Sequence, residues 1–120
     1  MQDKTTNVKV AEVTGPDGEP IIVLRFSGDI TSASKAAVLG TYQGLPAESK
    51  RILLDLSKVD YINSSGIALI IQMLMQAGKA GQAIQTFGLS AHFQKVFTMV
   101  GMTKYTQLHP DETTAAAAFG

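Results

Sequence analysis

The sequence predicts an α/β sandwich: a mixed sheet of about four or five strands with about four α-helices against it. Three observations carry this. A pair of β-branched segments flanks a turn rich in glycine and proline, as in a hairpin. Short apolar runs then alternate with stretches whose apolar residues recur at helical spacing. Strands separated by helices are joined by right-handed crossovers and lie parallel, so hairpin and crossovers together make the sheet mixed. With 120 residues and 45% hydrophobic content the chain can bury one core, and a single domain over residues 1–120 is expected.

The elements follow in order. Val8, Val10 and Val13 make the first strand, Gly15-Pro16-Asp17-Gly18-Glu19-Pro20 the turn, and residues 21–26 the second strand. Beyond Ser27-Gly28-Asp29, the hydroxyls of Thr31, Ser32 and Ser34 offer caps. Ala36, Leu39 and Tyr42 then place a first helix that Gly44 and Pro46 end. Arg51-Ile52-Leu53-Leu54-Asp55-Leu56 is nearly continuously apolar, the mark of a central strand covered on both faces.

From Ser64 to Lys79 a second helix is expected behind serine caps, with Ile67, Ile70, Ile71 and Leu74 on its buried face and an end at Gly78 and Gly81. Residues 82–87 form the next strand. Phe93, Val96, Phe97 and Val100 repeat at i, i+3, i+4 and i+7 for a third helix that stops at Gly101. Residues 105–108 read as a short last strand and residues 111–119 as a closing helix.

Charge and composition narrow the function. Ten basic residues balance ten acidic ones, so no net field draws in nucleic acid or an anionic membrane. The absence of cysteine excludes disulfides and thiolate chemistry, and fits a reducing compartment. The N-terminal residues carry Asp3 and Lys4 without an apolar run. The longest apolar stretch, residues 67–71, is cut by Gln72. A cytoplasmic protein without direct membrane insertion is expected.

The segment Asp55-Leu56-Ser57-Lys58-Val59-Asp60-Tyr61-Ile62-Asn63-Ser64-Ser65-Gly66 joins the central strand to the second helix, where parallel sheets carry functional loops. The helix N-terminus there presents unpaired N–H groups and the positive end of the dipole, a suitable place for a phosphate on a serine. The ordinary role of serine at such a place is capping. One hydroxyl suffices for that, which leaves the other of the Ser64-Ser65 pair free. Gly66 costs helix propensity, about 1 kcal/mol against alanine, and a closely approaching partner would account for it.

This segment resembles the signature loop of the STAS family, the domain of bacterial anti-sigma factor antagonists and of sulfate transporter tails. Its members typically read Asp-Leu-Ser-x-Val-x-x-Ile/Met-Asp-Ser-Ser/Thr-Gly. Leu24-Arg25-Phe26-Ser27-Gly28-Asp29-Ile30 is similar to the family's second strand and Gly-Asp/Glu turn. Val96-Phe97-Thr98-Met99-Val100-Gly101-Met102 is similar to its third helix.

The resemblance implies a non-catalytic partner switch in transcription signalling. By it, Ser64 matches the residue phosphorylated by an anti-sigma factor serine kinase, a histidine-kinase-like ATPase. The unmodified form would bind that kinase and release its sigma factor. Phosphorylation would switch binding off until a metal-dependent serine phosphatase reversed it. The family's aspartate before the serine is Asn63 here, which keeps a capping side chain and removes one negative charge.

Partner contacts are expected at Asp29, Thr31, Asn63, Ser65, Gly66, Leu69 and Met73. Leu69 and Met73 fall at the edge of the polar side of the second helix, where they either meet a partner or pack under a neighbouring loop. Thr31 is open to a capping reading as well. Two other roles remain open at this point: a non-phosphorylated accessory subunit of a membrane transport complex, and a component of a larger signalling scaffold.

Other chemistry has no support in the residues. Gly78-Lys79-Ala80-Gly81 lacks the spacing of a phosphate loop and reads as a helix end. His92 and His109 stand apart without an acidic cluster, so neither a metal site nor a cofactor is expected. No Gly-x-Ser-x-Gly or comparable nucleophile motif is present.

Overall fold

The computed structural model describes residues 5–119. Residues 1–4, which bear on the expectation about an export signal, lie outside the described residues. β1 (Asn7–Thr14) and β2 (Pro20–Ile30) form the expected hairpin, with Val13 opposite Ile21 and Asn7 opposite Ser27. β3 (Arg51–Ile62), β4 (Ala83–Phe87) and β5 (Gln107–His109) complete a sheet ordered β1-β2-β3-β4-β5. Every pairing after the hairpin is parallel, as the alternation of elements requires.

The two sheet faces are covered differently. Leu24, Phe26, Ile52, Leu54 and Ile84 point to the face that holds Tyr42, α2 (Ser64–Lys79) and α3 (Ala91–Met99), and this is the main core. The alternate residues Ile21, Val23, Leu53 and Phe87 point to α4 (Glu112–Ala117), where Ala115 is fully buried. The strictly alternating side chains of β2 thus feed two cores at once, which is why β2 and β3 read as apolar runs rather than as a polar and apolar alternation.

Three expectations about elements change. β2 continues past Phe26 to Ile30, and β3 continues past Leu56 to Ile62, so most of the expected loop is strand. Pairing with β2 draws the segment in, with register shifts between Arg25 and Ser27 and between Gly28 and Asp29 that absorb the extra residues.

The first helix is broken into a 3₁₀ turn, Ser32–Ser34, a π-turn, Ala36–Gly40, and a single α-turn, α1 (Thr41–Gln43). Val38 takes the core position expected of Ala36, which is exposed. In α3 only Phe97 is fully buried, while Val100 lies past the helix end and is exposed, because the chain turns away at Gly101 with φ near +84°. The end of α2 is as read: Ala80 caps it, Gly81 takes φ near +73°, and the Gln82 N–H donates to the Ala77 carbonyl.

Candidate functional site

The C-terminal ends of β2 and β3 lie side by side and form the rim of the site. Asp29 pairs with Tyr61 and Ile30 with Ile62, and the Asn63 N–H donates to the Ile30 carbonyl at 3.2 Å. The chain then turns directly into α2. The juxtaposition of Asp29 and Thr31 with the Ser64 segment is therefore a consequence of parallel pairing between neighbouring strands.

The N-terminus of α2 is capped by Asn63, and neither serine takes part. The Asn63 Oδ1 accepts from the Gly66 N–H at 2.9 Å, and its backbone is extended as an N-cap requires. Ser64 and Ser65 occupy the first two helical positions, both exposed, with amides that have no intrahelical acceptor. This corrects the expectation of serine caps. Asparagine and aspartate compete for the cap as well as serine does, and only the backbone turn decides which residue holds it. The first turn of α2 carries no acidic side chain, so a phosphate on Ser64 would meet the helix dipole without a like charge in that turn.

Gly66 is buried against the neighbouring strand rather than open to a partner. A Cβ at that position would sit 2.2 Å from the Ile30 carbonyl oxygen. Its missing side chain lets α2 start directly over β2, which is a packing requirement inside the molecule.

Leu69 and Met73 are also corrected. Leu69 is 8% exposed and Met73 fully buried, both within the main core. The buried stripe of α2 runs Gly66, Leu69, Ile70, Met73, Leu74, Ala77, whereas Ile67 and Ile71 are half-buried. The helix carries apolar residues around most of its circumference, so periodicity alone left its rotation open. The small residues Gly66 and Ala77 set it by permitting close approach to the sheet.

Asp29 and Thr31 are half-buried beside this rim. Thr31 caps the 3₁₀ turn: its Oγ1 accepts from the Ala33 N–H at 3.2 Å, and the Ser34 hydroxyl accepts from the Thr31 N–H at 2.8 Å. The Asp29 carbonyl accepts from the Thr6 hydroxyl, while its Oδ1 is buried with no hydrogen-bond partner among the described residues. With Thr5, Thr6, Thr31, Ser34 and three alanines it lines a cavity of about 390 Å³.

Tyr61, absent from the sequence expectations, is 52% exposed on the strand beside Asp29 and three residues before Ser64. An aromatic at the end of a strand that leads into a helix was the available signal. Among the described residues no group of His, Cys, Asp or Glu could hold a metal ion, and no helix is long and apolar enough to cross a membrane.

Comparison with known proteins follows this geometry. Residues 17–110 match the family described as Mlab, STAS domain. Over 70 residues the chain is 29% identical to BtrV of Bordetella bronchiseptica, a proposed anti-sigma factor antagonist, covering 58% of this chain and 60% of that protein. The chain thus spans about three fifths of the length of that curated relative, 60%.

Among solved structures it is similar to an anti-sigma factor antagonist from Mycobacterium paratuberculosis, with a TM-score of 0.74 and 19% identity over 98% of this chain and 96% of the other. It is also similar to the Bacillus cell fate determinant SpoIIAA in its phosphorylated form, with a TM-score of 0.60 and 17% identity over 90% and 96% of the two chains. At these identities the two structures speak for the fold, a mixed five-stranded α/β sheet.

Proposed function

The chain belongs to the STAS domain family, and from that premise we propose that it is an anti-sigma factor antagonist switched by phosphorylation at Ser64. In this reading the unmodified protein binds an anti-sigma factor serine kinase of the histidine-kinase-like type, and a metal-dependent serine phosphatase restores the modified form. The protein acts by binding and not by catalysis.

One observation carries the proposal. Asn63 performs the capping, so the exposed Ser64 hydroxyl at the first position of a 16-residue helix is not needed for the cap and makes no hydrogen bond among the described residues. A phosphate there would add about 1.5 to 2 negative charges next to free amides at the positive end of the dipole, which the fold accommodates. A partner surface shaped to the neutral rim would have to desolvate that charge, so binding falls while the fold persists. Ser65, Tyr61, Asp29 and Thr31 belong to the same rim as Ser64 and would form the contact. Asn63 would act by holding the turn.

The test is phosphosite mapping of the protein from its native cell, with Ser64→Ala and Ser64→Asp forms in a pull-down. Phosphate on Ser64 and loss of a kinase-type partner by the Asp form alone supports the proposal. An unmodified Ser64 with identical partners for both variants overturns it, and a transporter ATPase among those partners would instead identify a transport accessory subunit.

A further inference from the structure

The sheet face under α4 carries a second feature, unrelated to Ser64. Here Lys9 of β1 stands directly opposite Arg25 of β2, and Lys58 of β3 directly opposite Ser27 of β2. α4 leaves this end of the face open: Glu112, in its first turn, reaches Arg25, and Ala115 and Ala116 pack on the apolar half around Ile21 and Val23. Lys9, Arg25, Lys58, Asn7, Ser27 and Asp55 line a cleft of about 360 Å³ in the open part.

Like charges directly opposite on neighbouring strands are unfavourable, and the fold does not neutralise them evenly. Among the described residues, the two carboxylates that reach this part of the face, Asp55 and Glu112, both bond Arg25. Its Nη1 donates to the Asp55 Oδ2 at 2.9 Å and to the Glu112 Oε1 at 2.8 Å, and the other Asp55 oxygen accepts from the Ser57 N–H and hydroxyl. Lys9 and Lys58 have no carboxylate partner among the described residues.

The register shift in β3 adds to this. From Asp55 on the α4 face, unbroken alternation would put Lys58 on the opposite face. One extra β3 residue between Asp55 and Lys58, opposite the single β2 residue Phe26, turns Lys58 back toward Lys9 and Arg25.

We propose that this cleft binds the phosphate group of a small phosphate ester. Arg25 is held in place by two carboxylates through one nitrogen, which leaves Nη2 and Nε able to donate, and the two lysines supply mobile charge on either side. Asn7 and Ser27 contribute neutral donors for an ester or polyol oxygen. The volume is at the low end for a ligand site. The aromatic residue at the cleft, Phe26, has its side chain buried in the opposite core, so a polyol or sugar phosphate fits better than a nucleotide.

The experiment is an NMR titration of the whole chain with glycerol 3-phosphate, with sodium sulfate at matched ionic strength as comparator, on the native protein and on the Lys9→Ala/Lys58→Ala double variant. Saturable shifts at Asn7, Ser27 and Lys58, weakened about tenfold or more in the double variant, are expected. Thermal midpoints without ligand should be equal or higher in the variant, because repulsion is removed. Absence of saturable shifts, equal affinity for the variant, or equal affinity for sulfate overturns the proposal. So does a variant less stable than the native chain, which would make the lysines structural. Because the cleft lies on the face away from α2, none of these outcomes depends on Ser64 being a phosphosite.

Discussion

At Gly66 a methyl group would sit 2.2 Å from a backbone carbonyl oxygen, a contact that only movement of α2 or of β2 can relieve. Gly66→Ala is expected to destabilise by about 3 kcal/mol in a denaturant titration with unchanged slope, despite alanine's better helix propensity. Asn63→Ala should cost about 1 kcal/mol by leaving the Gly66 N–H unpaired, while Asn63→Asp keeps the cap and should match or slightly exceed native stability through the helix dipole. The pair of variants separates capping from charge next to Ser64. An Asn63→Ala form as stable as the native one would show that another side chain takes over the cap.

The rotation of α2 about its axis is a property of the element, and two of its methionines read it out. Met73 is fully buried and Met75 is 43% exposed, although both belong to the same apolar sequence. Met73→Ala should cost about 2 to 5 kcal/mol and Met75→Ala under about 0.5 kcal/mol in thermal or denaturant unfolding.

At α4 the cap is Asp111, whose Oδ1 accepts from the Thr114 N–H at 2.8 Å. This bond, more than the nearby His109, lowers its carboxyl below the ordinary 3.8. A carboxyl depressed in the folded state contributes stability that is fully present above the unfolded value and lost as pH falls through the folded one. Unfolding of the native chain measured below pH 3.8 should therefore lose the α4 cap, and Asp111→Asn should flatten that part of the acid limb. A native-like acid limb in Asp111→Asn would assign the loss to other carboxylates, such as Asp17, lowered mainly by its hydrogen bond from Arg51.

For the whole molecule, the sheet separates the two proposed sites. The face holding α2 and α3 and the rim at Ser64 are joined through the Asn63 to Ile30 bond, and the face under α4 carries the cleft of cations. A charge at Ser64 acts at the rim without touching either core. Ser64→Asp is thus expected to leave the amide spectrum native-like away from the first turn of α2 and stability within about 0.5 kcal/mol, while abolishing capture of a kinase-type partner. Global spectral change would mean that the switch works by refolding and not by charge at an interface.

Much of this was legible along the chain. Alternation of strand and helix patterns, Gly and Pro punctuation at the hairpin, and the loop from Asp55 to Gly66 determined an α/β sheet with Ser64 at the start of a helix, because those signals are local. They also placed α2 from Ser64 to Lys79 and its end at Gly81. Tertiary structure decided the rest. Pairing with β2 carried β3 on to Ile62, Asn63 rather than a serine took the cap, and Gly66 met Ile30 instead of a partner. Leu69 and Met73 turned inward because a helix that is apolar nearly all round takes its orientation from the surface that receives it. The cleft of Lys9, Arg25 and Lys58 joins residues far apart in the chain through strand register, which long-range pairing alone establishes.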